Sequence, residues 1–131
     1  MRAATIAALV LVLTATLTAP AAAAAGDVVV GGILVLRVRA EAGGVSIEQR
    51  AMIVEQRITN ALSKGRPAAS AMTIRLVNAQ PTIFVGEIMI ITVDANHARL
   101  NGTTQRALAE IWLRNLQEAL PKAVPQPVPG P

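Results

Sequence analysis

The chain has 131 residues, 53% of them apolar, and a mean hydropathy of +0.49, values that taken whole point to a membrane protein. Residues 1–25 create that impression: they hold 19 of the 69 apolar residues, and the other 106 hold 50, an ordinary share for one globular domain. From residue 26 onward 11 basic residues stand against 8 acidic ones, all dispersed, and that size excludes a multi-span channel or a typical full-size barrel.

Arg2 gives the chain a positive start, Ile6 to Leu13 form an apolar run, and Pro20 precedes the alanines of 21–25. This order describes a secretory signal peptide, with cleavage expected after Ala25 and Ala23 and Ala25 as the small pair. The apolar run is shorter than the ~20 residues that span a bilayer. The remaining chain is therefore expected to be exported, to the periplasm or beyond. Cysteine is absent, which excludes disulfides, thiol catalysis and thiolate metal sites. A small exported domain without disulfides must be held by packing, which fits a bacterial envelope.

After the leader, Gly31-Gly32 between β-branched runs predicts a hairpin. In its second arm Leu34, Leu36 and Val38 alternate with Val35, Arg37 and Arg39, predicting one buried and one wet face. Gly43-Gly44 breaks the chain. Ser46 and Gln49 then form a capping box, and Ile47, Ala51, Val54, Ile58, Ala61 and Leu62 make an apolar stripe. The spacing predicts a helix over 46–64, ended by Gly65 and Pro67.

Residues 66–71 read as a loop and 72–78 as a third strand, turned by Ala79-Gln80-Pro81. Thr82 to Val85, Gly86-Glu87 and Ile88 to Val93 read as a hairpin. Its second arm has so little polar relief that a central, doubly covered position is expected. Asp94 caps one or two helical turns that end at Asn101-Gly102. Thr103 or Thr104 then caps a second main helix through Leu120, with Leu108, Ile111, Trp112, Leu116, Ala119 and Leu120 as its apolar face. Prolines at 121, 125, 127, 129 and 131 mark 121–131 as an extended tail outside the core.

The order strand-strand-helix-strand-strand-strand-helix predicts an α+β domain over 26–120, with a mostly antiparallel sheet of about five strands and two main helices on one face. Asp94, Asn96 and His97 are close enough to form a surface site. The calcium-loop pattern fails, because Ala98 and Arg99 stand where a ligand and a glycine are needed, and one histidine is too few for zinc. His97 is expected to be a surface residue beside a helix cap. Ser46, Ser63 and Ser70 lack a nucleophile-elbow context, and neither glycine pair has phosphate-loop spacing. No catalytic set, metal or cofactor is expected. Phe84 and Trp112 are the only aromatics, so no stacking platform for nucleic acid is expected either.

The run Gly32–Arg39, leading to Ala42-Gly43-Gly44-Val45-Ser46-Ile47-Glu48-Gln49-Arg50-Ala51, resembles the opening of an envelope domain. That domain precedes the channel portion in some bacterial, notably cyanobacterial, mechanosensitive-channel family proteins of the MscS type. Val85-Gly86, Ile91-Thr92-Val93-Asp94-Ala95, Gly102-Thr103 and Leu108-Ala109-Glu110-Ile111-Trp112 extend the resemblance over about 30–120. No transmembrane helices follow Pro121, so conduction does not carry over. The resemblance implies a free-standing extracytoplasmic module with an accessory or sensing role. Its expected partner is an envelope or membrane protein, or a second copy of the chain. The alternative is small-ligand binding or sensing near Asp94–Asn101.

Overall fold

The computed structural model describes residues 25–123; the leader over 1–24 and the tail over 124–131 lie outside the described residues. Two-residue turns set the register of all three ladders. Gly31 and Gly32, at φ 56° and 80°, join β1 (Asp27–Val30) to β2 (Ile33–Arg37). Asn78 and Ala79, at φ 51° and 62°, join β3 (Met72–Val77) to β4 (Gln80–Val85). The turn is thus Asn78-Ala79 rather than 79–81, and Pro81 lies inside β4, where its carbonyl accepts the Val93 N–H at 2.9 Å. Gly86-Glu87 leads into β5 (Ile88–Thr92).

All five strands pair antiparallel, but they form two sheets, β1-β2 and β3-β4-β5, rather than one. Helix α1 (Ile47–Leu62) packs against β1 and β5; α3 (Gln105–Ala119) packs against β2, β3 and β4. The helices therefore form a shared layer, and one core cluster runs through both sheets and both helices. Ser46 and Gln49 close the expected capping box, each backbone N–H to side-chain contact at 3.2 Å. Asp94 caps the short α2 (Ala95–Leu100), and Thr104 caps α3 through the Ala107 N–H at 3.1 Å. Pro121 sits in a 3-10 turn, Leu120–Lys122, after which Ala123 is still buried in the core.

The expected central position of Ile88–Val93 is not what the chain adopts: β4 is central and β5 is an edge strand. Its apolar run has a different cause. Ile83 faces Ile91 and Phe84 faces Met89, so Ile90 is an extra residue in a bulge. A bulge re-aims side chains, and both Ile90 and Ile91 are buried. The first hairpin repeats the device: Val28 faces Leu36 and Val29 faces Leu34, leaving Val35 extra. Strict alternation in β2 therefore fails, with Val35 fully buried and Leu34 43% exposed. Ile111, assigned to the apolar face of the last helix, is likewise exposed.

The three-stranded sheet turns Ile83, Val85 and Ile91 to the helices. Its other face carries Thr73, Arg75, Thr82, Phe84, Met89 and Thr92, as the register aligns them. There the Arg75 guanidinium lies 4.6 Å from the centre of the Phe84 ring, and the Thr82 and Thr92 hydroxyls are 3.2 Å apart.

Among the described glycines, Gly26 alone has no room for a Cβ. A Cβ there would lie 2.1 Å from the Val38 carbonyl oxygen and 2.7 Å from Cγ2 of Ile47, at φ 92°. Its own carbonyl accepts the Val38 N–H at 2.8 Å. Gly26→Ala is expected to lower unfolding free energy by at least about 2 kcal/mol, from left-handed strain plus overpacking. Ala79→Gly, at a left-handed turn position with no such contact, is expected to raise it by roughly 0.5–1 kcal/mol. Urea denaturation of both variants checks the pair.

Candidate functional site

The cluster singled out in the sequence assembles, but as part of the interior. His97 is fully buried, not a surface residue. Its place follows from the Asp94 cap: Oδ1 of Asp94 accepts the His97 backbone N–H at 2.7 Å, and Oδ2 lies 3.1 Å from Nδ1 of the same residue. The Nε2 atom accepts the backbone N–H of Arg39 at 3.3 Å, from a segment 58 residues away in sequence. Both contacts together fit the neutral ring with its proton on Nδ1. The ring meets Trp112 edge-on, 5.8 Å between centroids at 75°, a favourable aromatic geometry.

Arg50 completes the knot. One guanidinium nitrogen donates to the Ala40 carbonyl at 2.7 Å and another lies 3.5 Å from Oδ2 of Asp94. Nearby, the Asn101 amide donates to the His97 carbonyl at 2.8 Å and Gln105 donates to the Val93 carbonyl at 2.9 Å. Asn96 stands apart, exposed, and takes a hydrogen bond from Arg99. The three residues expected at one surface site are therefore divided: Asp94 and His97 face each other inward, and Asn96 faces out.

Partial burial is the largest influence on the Asp94 carboxyl and pushes its pKa up. The His97 backbone N–H, the His97 ring and Arg50 together outweigh it, so the net shift is downward. Asp94 and His97 spend their hydrogen-bonding atoms on the fold. Among the described residues no group of three or more His, Cys, Asp or Glu side chains is placed to hold a metal ion.

Arg50 and Arg57 were missed by pattern reading, although their spacing carried a signal. Arg50 is three residues after Ile47 and four before Val54, and Arg57 three after Val54, so both border the apolar stripe of α1. An arginine there needs a buried acceptor. Arg50 finds the Ala40 carbonyl and Asp94; Arg57 finds the Ile90 carbonyl at 3.1 Å, at the bulge of the edge strand β5.

Two outcomes follow. His97→Ala removes a buried ring and leaves the Arg39 N–H without its acceptor, and is expected to cost about 3 kcal/mol in urea denaturation. Because the folded Asp94 carboxyl titrates below its unfolded value, its contribution is complete above about pH 4 and is lost as pH falls through the folded value. Asp94→Asn is expected to be less stable at pH 7 and to show a flatter loss of stability between about pH 4 and 2, measured by thermal melts across that range.

No curated protein and no solved structure matches the chain. Residues 27–123, from the first residue of β1 to the last residue of the core, match a family described as Domain of unknown function (DUF8459). The chain belongs to that family.

Proposed function

We propose that the chain is an exported, non-catalytic interaction module of the bacterial envelope, an accessory domain related to the ectodomains of MscS-type mechanosensitive channels. The observation that carries the reading is the fate of its polar chemistry. The charge-and-histidine cluster that could have done chemistry is consumed in tying segments together, while several large apolar side chains remain on the surface. Leu34, Met52, Leu76 and Ile111 are all exposed. A domain whose Asp94-His97-Arg50 cluster is spent on its own fold and whose surface carries large apolar side chains has the chemistry of a docking unit.

The leader-like composition of 1–25 supports export, and the absence of cysteine from the chain is compatible with a reducing or an oxidising compartment alike. Among the described residues no helix is long and apolar enough to cross a membrane. The alternative, small-ligand sensing near Asp94–Asn101, loses support from the inward orientation of Asp94 and His97.

The test is a cross-linking pull-down from bacterial envelope extract with residues 26–131 as bait. Because Ala123 is buried, the tail-truncated control ends at Ala123 rather than at Leu120. Recovery of one membrane protein at near-stoichiometric level, or of a second copy of the chain, is the expected result. Clean bait at cross-linking concentrations contradicts the reading.

A further inference from the structure

We propose that the groove between β2 and α3 binds an extended peptide carrying an acidic side chain next to an aliphatic one. The inference deepens the interaction-module reading and rests on it. Successive residues of β2, Leu34, Val35, Leu36 and Arg37, line the groove. Val35 is the bulge residue, so its side chain and that of Leu36 both turn inward, and Asn115 of α3 reaches the Val35 carbonyl along one edge of β2. β1 occupies the other edge, and among the described residues no strand pairs with this one.

The opposite wall is α3, through Leu108, Ile111 and Trp112. Their spacing of three and four places them on one side of the helix. A segment laid between a strand edge and a helix takes main-chain hydrogen bonds from the edge and side-chain contacts from the helix. Leu34 and Ile111 are both more than 40% exposed, 43% and 42%, and stand on opposite walls. They supply the apolar contact. Asn115 donates to the Val35 carbonyl at 3.0 Å, a bond that an incoming main-chain N–H replaces.

Charge selects the occupant. Arg37 and Arg39 line the groove and no carboxylate does. Arg37 shares its charge with Asp27, its cross-strand partner. The Arg39 side chain has no ion pair among the described residues, while its backbone is anchored on His97. The free cation therefore rises from a fixed base. A basic segment is repelled here, and a second copy docking by the same face sets arginine against arginine. An acidic, aliphatic peptide satisfies both walls.

The experiment selects phage-displayed random octapeptides on the full chain, then titrates the most enriched peptide, made synthetically, into it. Trp112, the only tryptophan, reports from the groove wall by fluorescence. The expected result is enrichment of sequences with Asp or Glu beside Leu, Ile or Val. Arg39→Glu and Leu34→Ser, both at exposed positions, are each expected to weaken binding about tenfold or more with unchanged melting temperature. Arg66→Glu, exposed and outside the groove, is expected to bind as the parent does. No enrichment, enrichment of basic sequences, or affinity retained in both groove variants overturns the proposal. Capture of the same envelope protein by the parent and by both groove variants overturns the groove and leaves the module reading standing.

Discussion

Everything in this fold depends on how two sheets that share no ladder are held together. Strand-to-strand hydrogen bonds do not do it, since β1-β2 and β3-β4-β5 are separate. Two things do: the aliphatic layer contributed by α1 and α3, and the polar knot at His97. The layer is non-directional and favours any arrangement that buries enough apolar surface. The knot is directional. It fixes where the connector after β2 lies relative to the starts of α1 and α2, because Arg39, Ala40, Arg50 and Asp94 all converge on it. A buried polar network with its partners in place specifies one arrangement among many of similar burial.

The bulges solve a second problem. Each sheet has an arm that is apolar at successive positions, Val35-Leu36 and Ile90-Ile91, yet neither arm is covered by a strand on both sides. An extra residue in each arm lets both side chains reach the core without exposing one of them. The same bulges leave main-chain acceptors outside the ladder, and helix side chains meet them: Asn115 at Val35 and Arg57 at Ile90. Helix-to-edge contacts of this kind also blunt strands that would otherwise template aggregation.

Much of this was legible in the sequence because its signals are local. Ser46 and Gln49 act within one turn, as do Asp94 and Thr104, so the three helix starts could be read directly. Gly31-Gly32 marked its hairpin for the same reason. What was not legible depends on distant partners. A run such as Ile88 to Val93 reads alike whether it lies at the centre of a sheet or at a bulged edge, since only the ladder tells the two apart. His97 looked like a surface residue beside a cap because its acceptor role is for Arg39, and its ring partner is Trp112. The candidate site was thus legible as a cluster, and its inward orientation was not. The β2–α3 groove is of the same kind: Leu34 and Ile111 read as core positions, and only their placement on facing walls makes them a surface.

His97 is a structural hub, fully buried and held by Asp94, Arg39 and Trp112. The most direct measurement is a through-hydrogen-bond scalar coupling between the Arg39 amide nitrogen and Nε2 of His97 in nitrogen-15-labelled protein, read with the exchange rate of the Arg39 amide. A resolved coupling, with exchange slowed to the level of global unfolding, is the expected result. A rapidly exchanging Arg39 amide, with no coupling and a His97 ring whose shifts follow those of an exposed imidazole, contradicts the hub role.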